Sequence, residues 1–168
     1  MATKVNRRTV DLSGYPNLVV IYLGMRVNRM AGFKTLFRFG PQISKSVAAQ
    51  PDGLLRHEFF LLSLMPFHVG MRQYWRDMDA LLAWTRSAPH GDWWKSFLKD
   101  SGGTGFWHET YLMQGGMEAI YDDVPQPIGF MHFAPVVAAR GPMFGAAHRS
   151  KEQNSPPPVL SETDLYGT

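Results

Sequence analysis

A chain of 168 residues that is 45% apolar and 13% aromatic is long enough for one domain with a real core and too apolar to stay unfolded. It has no cysteine, which excludes disulfides, thiolate metal sites and cysteine nucleophiles, and its net charge of +3 is spread over scattered basic residues, which gives no sign of a nucleic-acid partner. The longest apolar runs, Leu18–Met25 and Phe59–Phe67, fall well short of the ~20 residues that cross a bilayer, so no membrane span is expected.

Residues 1–16 read as a loose N-terminal arm, polar, carrying Lys4, Arg7 and Arg8, and ended by Pro16. With no apolar h-region there, the chain is expected to lack a signal peptide and to be cytoplasmic. Leu18–Asn28 is predicted as a strand, nearly all apolar at its start and hence central. Its polar end places Arg26 and Asn28 on one face. Phe33, Leu36, Phe37, Ile43 and Val47 lie on one helical stripe, which predicts a helix over Gly32–Gln50 that kinks or restarts at Pro41.

After the turn signal Pro51-Asp52-Gly53, Leu54–Met65 is predicted as a strand. It has His57, Phe59 and Leu61 on one face and Arg56, Glu58, Phe60 and Leu62 on the other. Val69–Trp75 is predicted to pair with it as a hairpin. Asp77 is a good N-cap for a helix through Arg86. Ser87-Ala88-Pro89 breaks that helix, and a short one follows from His90 to about Lys99.

The turn Gly102-Gly103-Thr104-Gly105 opens a strand over Gly105–Met113, rich in aromatic and β-branched residues. Phe106, His108, Thr110 and Leu112 share one face; Trp107, Glu109, Tyr111 and Met113 share the other. Each face carries one ionisable group among apolar neighbours. Such a group, if buried, must be paired, hydrogen-bonded or shifted in pKa, which makes this strand a candidate pocket wall. Met117–Tyr121 is predicted as a short fifth strand.

Seven of the twelve prolines follow Asp123. Residues 123–149 still hold Ile128, Phe130, Phe133 and Phe144 and are expected to pack as an irregular arm or lid. Residues 150–168 are polar and proline-rich and are expected to be a disordered tail.

Residues 17–122 therefore give the α+β order β-α-β-β-α-β, with the second helix split, which is ferredoxin-like. Helices cover one face of such a sheet. The other face is apolar here too, and a second copy of the chain would cover it, so a homodimer is expected.

The runs Arg56–Trp75, Trp75–Trp84, His90–Lys95 and Trp107-His108-Glu109-Thr110-Tyr111 resemble a bacterial and fungal monooxygenase-like family with a fungal member in fumagillin biosynthesis. The resemblance extends from about Val19 to Pro127. It implies the dimeric α+β barrel superfamily, which holds cofactor-independent antibiotic-biosynthesis monooxygenases and haem-degrading monooxygenases. Asn28 is similar to the asparagine that ends the first strand in the haem-degrading branch, and Trp84 to the tryptophan on the helix after the third strand. Where that branch has a haem-ligating histidine this chain has Trp94, with His90 one turn earlier.

Dioxygen is a ground-state triplet and reacts slowly with closed-shell molecules. Without a cofactor it needs a substrate that is easily made electron-rich, held by a base near neutral pKa, oxyanion donors and aromatic walls. His108 and His57 are the candidate bases, with Glu109 as the second ionisable group of its strand. Arg26, Asn28 and Tyr74 are candidates to orient an oxyanion, and Trp84, Trp94, Phe59 and Trp107 to line a hydrophobic site. Each has a packing or ion-pair explanation as well: core filling for the tryptophans, a bridge to Glu58 or Glu109 for Arg26. His57, His90, His108 and His132 show no ligand spacing of a metal site, so none is expected.

The expected function is that of a cofactor-independent monooxygenase-like enzyme acting on a hydrophobic conjugated small molecule. The first alternative is a haem-binding enzyme of monooxygenase or aldoxime-dehydratase-like chemistry, with His90 or His108 as ligand. The second is a non-catalytic dimer that binds small molecules.

Overall fold

The computed structural model describes residues 5–113, 117–122, 124, 126–144, 149 and 161–163; the side chains of residues 94, 95, 98 and 122 lie outside that description. The chain divides into two units, one built from Asn17–Leu112 and the other from the residues on either side of it.

The larger unit holds β2 (Val19–Val27), α1 (Ala31–Ala48), β3 (Leu54–Leu64), β4 (Phe67–Trp75), α2 (Met78–Arg86), α3 (His90–Lys99) and β5 (Thr104–Leu112). Its strands form one antiparallel sheet in the order β3-β4-β2-β5. This is the ferredoxin-like β-α-β-β-α-β fold, with the second helix divided at Ser87–Pro89 as the sequence predicts. The central strands β4 and β2 supply its buried residues Val19, Val69, Met71 and Trp75. Val19, Trp75, Ala80 and Leu81 form the centre of the core, with Ile21, Leu54 and Trp84 packed around them. That cluster fixes the sides of the sheet. Odd-numbered residues of β2 and β4 face the helices, and through the strand register so do His57 and Phe59 of β3 and Phe106 and His108 of β5.

Two local expectations change. Helix α1 runs through Pro41 without a break. Proline removes a donor to the carbonyl four residues back, but Phe37, which loses that partner, is exposed to water. Gln42 and Ser44 also donate to the Arg38 and Gly40 carbonyls at 3.1 Å each. The hairpin strand begins earlier than its alternation suggests, at Phe67.

The smaller unit begins with β1 (Arg7–Val10), which the sequence reads as loose arm. It is the middle of a three-stranded sheet between β6 (Tyr121–Asp122) and β7 (Val136–Ala138). Its partners lie more than a hundred residues away, so no local pattern announces it. The predicted strand at Met117–Tyr121 survives only as Tyr121 and Asp122. Thr9 donates to the Ala119 carbonyl at 2.7 Å and Tyr15 to the Phe133 carbonyl at 2.6 Å. Most of the predicted tail, 150–168, lies outside the described residues.

Candidate functional site

The helix side of the sheet collects a run of aromatic rings. Asp77 caps α2 by accepting from Ala80 N at 2.7 Å, so only two residues separate the end of β4 from the start of the helix. Trp84, two turns on, then falls over Trp75, the last residue of β4, with ring centroids 5.3 Å apart. Past the break at Ser87–Pro89, α3 begins at His90, whose ring lies 4.5 Å from that of Trp84. Trp93 follows at 6.0 Å from His90, and Phe39 of α1 lies 6.5 Å from Trp93. A second group on this side joins Phe97 of α3 to Phe106 at 5.9 Å and Phe106 to His108 at 6.0 Å.

Two histidines on this side have defined polarity. His90 Nδ1 lies 3.0 Å from the Thr85 carbonyl oxygen. A carbonyl only accepts, so Nδ1 carries the proton and Nε2 presents a lone pair. Burial pushes the His90 imidazole down from its usual range, and the bond to Thr85 opposes it. His57 is the reverse. Its Nδ1 lies 3.2 Å from Gln73 Nε2, while Gln73 Oε1 accepts from Trp75 Nε1 at 3.1 Å. The His57 pKa is also lowered, by burial first and the Arg56 charge second, with Glu58 opposing.

The predicted site residues divide between the two sides. His57, Phe59, Trp84, His90 and His108 share the helix side, with Phe59 and His108 exposed. His57 and His108 sit on opposite edge strands, which lie three strand spacings or ~14 Å apart, and His57 is in register with Thr110, two residues from His108. Arg26, Tyr74, Trp107 and Glu109 lie on the opposite side. Arg26 is exposed; the Glu58 carboxylate takes Arg72 instead, at 2.6 Å. Glu109 accepts from the Tyr111 hydroxyl at 2.5 Å, which holds that phenol above its usual range. Trp107 Nε1 donates to His68 Nε2 at 2.7 Å. Tyr74 is buried, with the Arg72 guanidinium 5.2 Å from its ring. Asn28, exposed just past the end of β2, lies against Gly105. The Trp94 side chain lies outside the described residues.

The sequence reading did not single out Gln73, Trp75, Trp93 or Arg72. For Gln73 a signal existed: strand alternation puts this amide on the same face as Met71 and Trp75, where a polar group needs partners. Among the described residues no three His, Cys, Asp or Glu side chains come together as a metal site, and no helix is long and apolar enough to cross a membrane.

The family model described as Monooxygenase af470-like matches residues 18–130. No curated protein matches the chain. Among solved structures, an aldoxime dehydratase is similar at 22% identity and a TM-score of 0.63, over 79% of this chain and 39% of that one. The aldoxime dehydratase OxdRE in complex with butyraldoxime is similar at 18% identity and 0.60, over 88% and 42%. A mutant form of SnoaB, a cofactor-independent oxygenase from Streptomyces nogalater, is similar at 14% and 0.41, over 55% and 90%. The chain spans about two fifths of the length of the two aldoxime dehydratases, and the likeness to them is one of fold.

Proposed function

We propose that this chain, which belongs to the Monooxygenase af470-like family, is a cofactor-independent monooxygenase acting on a hydrophobic, conjugated small molecule bound on the helix side of the sheet. The observation that carries this reading is the opposed polarity of two neutral imidazoles on one side of the sheet: His90 offers a lone pair at Nε2, and His57 offers a proton-bearing Nε2. The Trp84 and Trp93 rings supply flat apolar walls next to His90.

In this reading His90 Nε2 takes a proton from an enol or phenol, and the His57 Nε2–H holds the resulting oxyanion. The electron-rich anion reacts with dioxygen to give a hydroperoxide. Loss of water then leaves a carbonyl. In sum, a methylene group and one dioxygen become a carbonyl group and one water, with all electrons drawn from the substrate. His108, beside Phe106, is the other candidate base on this side. Arg26 and Glu109 face away from it and belong to a second surface. Exposed Leu62 and Tyr111 also lie on that surface, and it is the face we assign to a homodimer contact.

The second reading is a haem-binding enzyme with aldoxime-dehydratase-like chemistry. One observation favours it: a ligating histidine usually donates its other ring N–H to a carbonyl or carboxylate, as His90 does to Thr85. His90 would then hold the iron through Nε2, and the haem would supply the redox or Lewis-acid chemistry.

Ultraviolet-visible spectra with and without added haemin, together with oxygen uptake on a panel of phenols, enols and conjugated polyenes, separate the two. Oxygen uptake by colourless protein, lost in His90→Asn, supports the first. A Soret band near one haem per chain that vanishes in His90→Asn moves the assignment to the second. No uptake and no Soret band sinks both and leaves a binding protein. Sedimentation velocity tests the homodimer, and a monomer at micromolar concentration overturns it.

A further inference from the structure

The stretch Gln73–Trp75 holds a short polar chain inside the core, and the polarity of His57 depends on it. Gln73 is 1% exposed and Trp75 0%, so neither exchanges its hydrogen bonds with water. An indole N–H donates and never accepts. Trp75 Nε1 therefore claims the carbonyl oxygen of Gln73 and turns the amide nitrogen toward His57 Nδ1. An amide nitrogen also only donates, so His57 Nδ1 has to accept. The ring proton is left on Nε2. Reversing any member of the chain would set two donors against each other where no water can separate them.

We infer that Gln73 is a positioning residue: locked by Trp75, it holds His57 as a fixed Nε2–H donor for a ligand oxygen, a carbonyl or an oxyanion, and bars His57 from acting as a base at that atom. The inference rests on the reading of this side of the sheet as the ligand site. It also divides the labour between the two histidines, since His90, pinned the other way by Thr85, is left as the proton acceptor.

The test reads the tautomer directly and needs no turnover. In the full chain labelled with ¹⁵N-histidine, long-range ¹H–¹⁵N spectra, assigned with a His57→Gln variant, are expected to show His57 with a pyridine-type Nδ1 and a pyrrole-type Nε2. In Gln73→Glu the side chain offers His57 an acceptor instead of a donor. Its tautomer is expected to flip to Nδ1–H, and its titration midpoint to rise by about one unit or more. Trp75→Phe frees the amide to rotate, and a mixture of the two tautomers is expected. A wild-type His57 that is Nδ1-protonated or averaged between tautomers overturns the inference, and so does a folded Gln73→Glu protein whose His57 is unchanged. If Gln73→Glu does not fold, the wild-type and Trp75→Phe spectra still decide it: no change on Trp75→Phe overturns the lock. Absence of oxygen uptake by the wild type would sink the proposed reaction and leave the role of Gln73 to the spectra.

Discussion

The His90 Nδ1 atom lies 3.0 Å from the Thr85 carbonyl oxygen, so the first residue of one helix donates to the last turn of the helix before it. The bond does two things at once. It ties α3 to α2 across the Ser87–Pro89 break, and it leaves the Nε2 lone pair on the ring edge away from Thr85, in a ring that packs beside Trp84 and Trp93.

His90→Asn is therefore expected to remove the acceptor while leaving most of the packing in place. Loss of a general base costs roughly 100-fold to 10,000-fold in rate. Oxygen uptake on the best substrate of the panel should fall into that range, with circular dichroism unchanged. An unaltered rate in a folded variant would shift the proton-accepting role to His108, for which His108→Ala is the matching measurement.

The two helix-side histidines also predict how stability varies with pH. Burial lowers the pKa of both His57 and His90 from the ordinary value of 6.5, so the folded chain binds their protons less readily than the unfolded chain. The unfolded state then takes up more protons as pH falls through 6.5, and the stability that the neutral rings contribute above 6.5 is lost progressively below it. Asp52 and Asp77 act in a separate window. Arg76 for Asp52, and the Ala80 amide for Asp77, lower their pKa from 3.8, so their contribution goes only in strong acid. Urea unfolding at pH 7.5, 6.5 and 5.5 should show decreasing midpoints, and His57→Gln/His90→Asn should flatten the trend.

Much of this architecture is legible in the sequence because its signals are local. The apolar opening of Val19–Val27, the alternation of Leu54–Leu64 and the Asp77 cap each report a neighbour within a few residues, and together they give the ferredoxin-like order. The strand at Arg7–Val10 is not legible, since both its partners come from the other end of the chain. The site is legible in its residue types and less so in their roles. Alternation correctly separates His108 from Glu109. It says nothing of which ring nitrogen carries a proton, because that depends on Gln73, Trp75 and Thr85 meeting the rings in space. Similarly, Arg26 looks the natural partner for Glu58 until the register sets Arg72 directly opposite it.

That Arg72–Glu58 pair should be among the more costly to break. Arg72 Nε and Nη2 reach one carboxylate oxygen at 2.9 and 2.6 Å, and Nη1 donates to Tyr22 Oη at 2.6 Å. Their side chains keep 28% and 15% of their exposure, so water repays part of the loss. Removing one member of a fully buried pair costs roughly 3–5 kcal/mol and of an exposed one under about 1. Glu58→Gln is expected between these limits, at about 1–3 kcal/mol in urea unfolding. A double-mutant cycle with Tyr22→Phe should show coupling, because both groups hold the same guanidinium.

Glycines 24 and 40 should respond unequally to the same substitution. Gly24 faces Gly70 across the central strands, and the indole of Trp107 lies over it. A Cβ there would sit 2.6 Å from Nε1 and 2.7 Å from Cε2. The ring cannot simply swing aside, because its Nε1 is hydrogen-bonded to His68. Gly24→Ala should therefore destabilise the chain by about 1–3 kcal/mol through overpacking and change the tryptophan emission. At Gly40, inside α1, a Cβ would meet nothing within 4 Å beyond its chain neighbours, and alanine is the better helix former, but the ring of Pro41 crowds the Cβ of a helical residue before it. The two effects offset, and Gly40→Ala should change stability by less than about 0.5 kcal/mol. Measured side by side in urea, a neutral Gly24→Ala would mean that Trp107 is free to leave its place over β2, and with it the His68 bond that holds the ring down on this side of the sheet.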